Sequence, residues 1–226
     1  MSARAIFDHH GVAYTAVEQT GAGANEDLRD WTRHRNAPVA VFNDEPPRTG
    51  WLDILNLAER LGAGPSLIPT ERDTRMAMIG HINELIGEHG LIWQMRLLML
   101  GLGGPERAAK EAARNPMYAD YGYTETARDE APARIAGILD RFTRHAAGQQ
   151  KRGSPYLFGD RLSAADLYWA YFSLIFATLP DALCPMPEPL RKSYDYSSAA
   201  IGGCAELLIN QRDFIFEQHL ELPMTF

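Results

Sequence analysis

The chain of 226 residues has few cysteines and no long apolar run. Its two cysteines, Cys184 and Cys204, show no C-x-x-C spacing, which argues against a disulfide framework and against a structural zinc site. The longest strongly apolar stretch, residues 167–179, is broken by Ser173 and Thr178. It is also shorter than the ~20 residues that a membrane-spanning helix needs. We therefore expect no membrane span and no metal centre.

Positive charge is also scarce. Lys and Arg number 22 against 29 Asp and Glu, which gives a net charge of −7. That sign disfavours binding to nucleic acid or to an anionic membrane. Residues 1–10 offer no basic segment followed by an apolar one, so we expect no signal peptide and a cytoplasmic protein. The apolar share of 46% is ordinary for a globular chain and predicts a sizeable core in one large or two small domains.

The first sixty residues mix helix and strand patterns. Apolar spacing predicts a helix that ends before Gly11 and a second helix from a capping Asn25 to about His34. Alternating strand formers predict strands over Val12–Gln19 and over Pro38–Phe42. A third amphipathic helix is predicted to begin at Trp51.

The rest of the chain has only helical patterns. Glycines and prolines over residues 62–69 predict a linker. After it we predict a helix capped by Thr70 that runs to about Leu100, a second helix around Ile135–Phe142, and a third from Ser163 to Thr178. The predicted organisation is residues 1–62 as an α+β domain, 63–69 as linker and 70–226 as an all-α domain.

The strongest local signal lies at the start of the third of these helices. Ser163 and Asp166 have the spacing of a capping box, in which a hydroxyl at the N-cap and a carboxylate at N3 each accept the other's free amide. Leu162 and Leu167 are spaced as a hydrophobic staple across it.

Two segments resemble the glutathione S-transferase family. The run Tyr156–Leu167 is similar to the capping-box segment of that family's helical domain, and Ala37-Pro38-Val39 resembles its cis-proline turn before a strand. The resemblance implies a thioredoxin-like first domain, an all-helical second domain and a homodimer. It also implies that glutathione is the co-substrate and that a small hydrophobic electrophile binds between the domains, as in detoxification.

The resemblance assigns the glutathione-binding residues to two places. Backbone groups at Ala37, Pro38 and Val39 would pair with the tripeptide as an added strand. Gly50 and Trp51, at the positive end of a helix, would receive its carboxylate. From the residues alone, Pro38 could equally be a trans proline at a strand edge, and Trp51 a core or interface anchor.

Two features depart from the family pattern. Family members begin with a strand that ends near a Ser, Cys or Tyr, whose group activates the glutathione sulfur. This chain begins with a predicted helix, which leaves Ser2 as the only nearby hydroxyl, and Ser2 itself fits a helix N-cap. Gly50-Trp51 also stands where the family has an acidic residue followed by Ser. We expect either that an upstream strand lies outside this sequence or that the sheet is degenerate.

The resemblance also suggests a substrate pocket. Part of the long helix lines the substrate cleft in the family, which makes Trp93, Met95 and Arg96 candidates together with Tyr118 in the loop that follows. Most of this Met and Trp content is also what a helical core contains.

Two rival signals are weaker. The loop Thr20–Asn25 follows a predicted strand, but it lacks the third glycine of a dinucleotide-binding loop and a following Lys, so a plain loop is favoured. His81, Glu84, Glu88 and His89 crowd one helix, but no matching ligands stand on another helix, so a solvated face is favoured over a metal site.

Glutathione-dependent conjugation or processing of a small electrophile is the leading functional hypothesis. The alternative is a catalytically silent relative that carries an apolar ligand or acts through dimerisation.

Overall fold

The computed structural model describes residues 1–20 and 23–224. Within them the chain forms two compact units, Met1–Leu67 and Ile68–Phe226. No helix in the described ranges combines the length and the apolar character needed to cross a bilayer.

The described residues of the first unit form three helices, whose positions agree with the predicted ones. They are α1 (Ser2–His9), α2 (Glu26–Thr32) and α3 (Trp51–Leu61). The two predicted strands are wrong: Val12–Gln19 has no regular structure, and Pro38–Phe42 contributes only an isolated antiparallel bridge between Ala40 and Arg48. The α+β character expected of this unit is therefore not present among the described residues.

The failure of the strand predictions has a simple physical reason. A strand exists only when a neighbour pairs with its backbone, and alternation of side chains does not supply that neighbour. Residues 13–19 make no backbone–backbone hydrogen bond in the described part of the chain, and most of them are exposed. Their strand-forming side chains therefore remain in an extended coil, with Val17 55% exposed.

The first unit is held together where α1 meets the end of α3. His10 is buried and its Nε2 lies 3.2 Å from Glu59 Oε1, which also accepts the Leu67 amide at 2.7 Å. The backbone of Gly62 runs so close to His10 that an added Cβ would lie 2.3 Å from the His10 Cβ. Ala63 donates its amide to the His10 carbonyl at 3.3 Å.

Gly62→Ala is expected to destabilise the protein, because the new methyl group has no room beside His10. The expected loss is about 1–3 kcal/mol in the free energy of unfolding, measured by urea denaturation. Gly137→Ala is the control: it lies in a helix with open space around its Cα, so the same substitution is expected to stabilise by about 0.4–1 kcal/mol. Equal effects at the two glycines would contradict the close approach.

The second unit is helical throughout its described regular structure. Its described α-helices are α4 (Arg72–Ile86), α5 (Leu91–Leu100), α6 (Pro105–Ala112), α7 (Met117–Asp120), α8 (Glu125–Lys151), α9 (Ala164–Phe172), α10 (Glu188–Ala200) and α11 (Glu206–His219). A short 3-10 turn, Ser173–Ile175, follows α9, so the predicted helix from Ser163 ends before Thr178.

The single helix predicted from Thr70 to Leu100 is wrong, because the chain breaks it into α4 and α5. Gly87 and Gly90 lie at the break, and His89 between them has φ +62°. A Cβ on Gly90 would lie 2.8–2.9 Å from three backbone carbonyl oxygens. The two glycines therefore allow a tight turn that side chains would obstruct.

Two predicted caps differ from the observed ones. Glu71, not Thr70, caps α4: its carboxylate accepts the amides of Thr74 at 2.6 Å and Asp73 at 2.9 Å, which lowers the pKa of Glu71 to about 2. Asn25 is the N-cap residue of α2, as predicted, but it lies in the left-handed region with φ 45°, and its side chain bonds back to Thr20 and Gly23 instead of to the helix. In neither case does the predicted side chain cap the first turn of the helix, because Glu71 does so at α4 and the Asn25 side chain bonds to the preceding loop at α2.

The predicted capping box is confirmed at the start of α9. Asp166 Oδ2 accepts the Ser163 amide at 2.9 Å and the Ser163 hydroxyl at 2.7 Å. Asp166 Oδ1 accepts the amide of Leu157 and the side-chain amide of Gln211, each at 2.7 Å. This carboxylate is fully buried, and burial raises its pKa to about 6 against the opposing effect of these donors.

His81 belongs to the aromatic core of the second unit. Its ring stacks on Phe142 with 3.6 Å between centroids and meets Phe158 edge-on at 5.3 Å. Burial, together with a smaller contribution from the nearby His145, lowers the pKa of His81 to about 3. In the unfolded chain the imidazole titrates near 6.5. Between about pH 3 and 6.5 the unfolded chain therefore binds a proton at His81 that the folded protein does not bind.

The stability that neutral His81 contributes is therefore complete above pH 6.5 and is lost as the pH falls toward 3. Between pH 7 and pH 5 we expect the free energy of unfolding of the wild type to fall by roughly 1–2 kcal/mol more than that of His81→Phe, which keeps the ring packing. Urea denaturation at both pH values measures the difference. The exposed His89→Gln serves as control and should keep the wild-type pH dependence.

Candidate functional site

The segment that resembles the family's cis-proline turn has the predicted backbone. The Ala37–Pro38 peptide bond is cis, as predicted, and both residues are exposed. Neither the N–H nor the C=O of Ala37 makes a backbone–backbone hydrogen bond within the described residues. Pairing with an extended peptide requires such backbone groups without a backbone partner.

The chain after Pro38 folds back through a tight loop. Ala40 and Arg48 exchange both backbone hydrogen bonds at 2.9 Å, and Glu45 donates its amide to the Phe42 carbonyl at 3.1 Å within the turn. The Glu45 carboxylate binds Arg48 and also binds Arg60 of α3 at 2.7 Å, which lowers the pKa of Glu45. These contacts anchor the loop to α3 while residues 37 and 38 stay exposed.

The predicted carboxylate site lies at the N-terminus of α3. Gly50 is the N-cap, with extended backbone and no side-chain cap, and Trp51 is half-buried. Asp53 stands in the first turn, and its Oδ2 lies only 2.8 Å from the place that a Cβ on Gly50 would take. The positive end of this helix therefore already has an acidic side chain beside it.

Ser2 is the first residue of α1 and is half-buried. The N-cap of this helix is Met1, so the expectation that Ser2 serves as N-cap is wrong. The terminal amino group of Met1 has a pKa lowered by burial and by the charge of Arg4. The role of Ser2 in activating a thiol stays a prediction.

The four candidate pocket residues belong to the second unit and differ in accessibility. Met95 is fully buried, and the buried Tyr118 donates its hydroxyl to the Leu100 carbonyl at 2.8 Å. Trp93 is half-buried and packs on Tyr121 with 4.7 Å between ring centroids. Arg96 is also half-buried. Trp93 and Arg96 are therefore the two that a ligand could touch without rearrangement of the core.

The two rival signals lie in α4 with the turn that follows it and in the glycine-rich loop before α2. Across the described ranges no three His, Cys, Asp or Glu side chains come together as metal ligands would. His81 is not on the solvated face that the sequence favoured, because it is buried in the core. In the glycine-rich loop, residues 21 and 22 lie outside the described residues, and Thr20 and Gly23 are joined by a hydrogen bond of 3.0 Å between their backbone groups.

Sequence reasoning missed two cavities in the second unit. The larger, of about 610 Å³, lies near the start of α4 and the end of α8, and its lining includes Asp73, His145, Arg152 and Phe158. The smaller, of about 200 Å³, lies among α8, the segment 154–157 and α11. No sequence signal marks either of them, because each is lined by short stretches that are far apart along the chain.

No family model matches the chain, and no curated protein matches it in sequence. Solved structures match its fold. A glutathione S-transferase from Xanthobacter autotrophicus Py2 superposes with a TM-score of 0.58 at 17% identity, over 98% of this chain and 89% of that one. A maleylacetoacetate isomerase from Methylobacterium extorquens AM1, solved with malonate and glutathione, gives a TM-score of 0.51 at 16% identity, over 93% and 90%.

These two structures cover nearly the whole of both chains, and both carry the fold that the capping-box segment and the cis-proline turn had indicated. The chain therefore has the fold of the glutathione S-transferases.

Proposed function

We propose that the protein uses glutathione to conjugate or process a small hydrophobic electrophile. The observation that carries the proposal is the exposed Ala37 backbone, whose N–H and C=O make no backbone hydrogen bond within the described residues. The loop that bears it is fixed to α3 through Glu45. The maleylacetoacetate isomerase of the same fold is solved with glutathione, which supports glutathione as the ligand.

In this proposal the backbone of residues 37–39 pairs with the cysteinyl part of glutathione as an added strand. The N-terminal end of α3 at Gly50 and Trp51, where the helix dipole is positive, receives a carboxylate of the tripeptide. The thiol loses its proton to solvent, the thiolate sulfur forms a bond to the electrophilic carbon, and the leaving group departs with its electron pair. Trp93 and Arg96 are the candidates to contact the electrophile.

A hydroxyl that donates to the sulfur would favour the thiolate, and Ser2 is the candidate donor. We expect Ser2→Ala to raise the pH midpoint of turnover by about one unit, because the thiolate loses a hydrogen bond. The pH dependence of kcat/KM with a chloronitroarene measures this midpoint. Turnover with an unchanged midpoint would remove Ser2 from the mechanism.

The second candidate function is that of a catalytically silent binding protein. It is favoured by the position of Asp53, whose carboxylate stands beside the helix end where the carboxylate of glutathione would bind. A homodimer and a cytoplasmic location belong to both candidates.

Calorimetric titration with reduced glutathione, followed by the chloronitroarene assay, separates the candidates. Saturable binding with turnover supports the enzyme, and binding without turnover supports the silent protein. No heat at millimolar glutathione would overturn the glutathione site itself.

Asp53 gives a sharper test of the same site. Asp53→Asn removes a negative charge next to the proposed carboxylate position, so we expect glutathione to bind about two- to fivefold more tightly. The control is Asp27→Asn, which makes the same charge change in the first turn of α2. Equal effects of the two substitutions would show that only net charge matters and would contradict a site at the start of α3.

A further inference from the structure

Arg96 is a half-buried cation that the described residues leave without a counterion. Its side chain lies on α5, and its one hydrogen bond to a described residue goes from Nη1 to the Met99 sulfur at 3.9 Å. A thioether sulfur is a weak acceptor, so this contact replaces neither a carboxylate nor a carbonyl oxygen. Carboxylates are plentiful in this chain, which has 29 acidic and 22 basic side chains, yet none of the described ones pairs with Arg96.

The other buried and half-buried arginines have strong acceptors. Each of them donates to a carboxylate or a carbonyl oxygen within the described part of the chain: Arg48, Arg75, Arg128, Arg191 and Arg212. A guanidinium carries five N–H donors and keeps its charge in proteins. Arg96 therefore differs from the rest in keeping its donors for an acceptor that comes from solution.

A hydroxyl donor lies beside Arg96. Tyr194 belongs to α10, which packs against α5, and its side chain is half-buried. Burial raises the pKa of Tyr194, and the positive charge of Arg96 acts on the same hydroxyl in the opposite direction, so the two groups are neighbours. The hydroxyl is protonated at neutral pH and can donate a hydrogen bond.

Both groups can be reached from solution. Arg96 Nε and Nη2 and the Tyr194 hydroxyl make no hydrogen bond to a described residue. None of these three atoms is among the unpartnered polar atoms that the protein encloses completely, in contrast to His81 Nε2 or Gln211 Oε1. A ligand can therefore contact one charged and one neutral donor here without entering the core.

The two donors favour a carboxylate. A planar guanidinium matches the two oxygens of a carboxylate, and its one positive charge balances a single negative charge. A phosphate monoester carries nearly two negative charges at neutral pH, which is more than Arg96 balances.

An aromatic side chain lies next to Arg96 on α5. Trp93 is half-buried and stands three residues before Arg96, so the two residues share a face of the helix. Its ring packs on Tyr121 with 4.7 Å between centroids. An aromatic body attached to the carboxylate would pack on such a ring.

We propose that Arg96 and Tyr194 bind the carboxylate of an aromatic acid. Arg96 supplies charge-assisted hydrogen bonds, Tyr194 supplies a neutral one, and the aromatic body packs against Trp93. Resting on the function proposed above, this acid is the electrophile, so the substrates are anionic aromatic electrophiles. The carboxylate site itself does not depend on glutathione, so its test is a binding measurement.

Two probes of the same shape test the charge. One is a chloronitrobenzoate, and the other is the chloronitrobenzamide with the same substitution pattern, which replaces the carboxylate by a neutral amide. In calorimetric titrations of the full-length protein without glutathione, we expect the acid to bind roughly ten- to hundredfold more tightly than the amide, because only the acid forms charge-assisted hydrogen bonds. Equal binding of acid and amide, or no binding of the acid, would overturn the carboxylate site.

Variants assign the site to the two side chains. Arg96→Gln is expected to remove the preference for the acid, and Tyr194→Phe to weaken acid binding roughly two- to tenfold. The control is Arg75→Gln, which makes the same charge change at a half-buried arginine of α4 and should keep the full preference. Equal losses in Arg96→Gln and Arg75→Gln would contradict the assignment to Arg96. If Arg96→Gln does not fold, Tyr194→Phe and the comparison of acid with amide still decide.

Addition of glutathione separates this proposal from the proposed function. In the conjugation the thiolate sulfur forms a bond to the ring carbon, and chloride leaves with its electron pair. Chloride release from the bound acid supports both proposals. A preference for the acid that depends on Arg96, without chloride release from either probe, supports the carboxylate site and overturns the glutathione function. Chloride release without a preference for the acid does the reverse.

Discussion

The carboxylate of Asp166 is the contact on which the second unit depends. Its two oxygens accept four hydrogen bonds that come from Leu157, from both donors of Ser163, and from Gln211. One buried side chain thus joins the segment before α9, the start of α9 and the middle of α11. Because each donor would be left without an acceptor in a buried place, removal of this carboxylate costs more than any single hydrogen bond.

The capping box could be predicted because its two members are three residues apart, and a helix start is a local event. Gln211, the fourth donor, could not be predicted, since it reaches Asp166 from 45 positions away only after α9 and α11 have packed. The same distinction explains the other outcomes. The cis peptide at Ala37–Pro38 was predicted from its resemblance to a known turn. The coil at residues 12–19 was mistaken for a strand because pairing is not a local property: residues 13–19 make no backbone–backbone hydrogen bond to any described residue.

Some glycines of this chain lie at helix breaks and others lie inside helices, and the sequence pattern alone did not distinguish the two. Gly90 is the N-cap of α5 at the break after α4, where an added Cβ would lie 2.8–2.9 Å from three carbonyl oxygens, and apolar periodicity on both sides concealed that break. Gly137 lies inside α8 with open space around it and interrupts nothing. The difference is set by the neighbours of each Cα, which only the folded chain provides. The two cavities escaped prediction for the same reason.

The acidic side chain beside the N-terminus of α3 has a consequence for selectivity. Asp53 is tethered to the helix whose positive end it approaches, so it acts as a built-in competitor for every anion that comes from solution. A small anion that contacts only the helix end has to compete with the Asp53 carboxylate, which is covalently attached to the same helix. A longer ligand that also pairs with the backbone at Ala37 has further contacts with which to outweigh it. The Asp53 carboxylate would thus make this helix end favour ligands that form several contacts with the protein over ligands that carry only a negative charge.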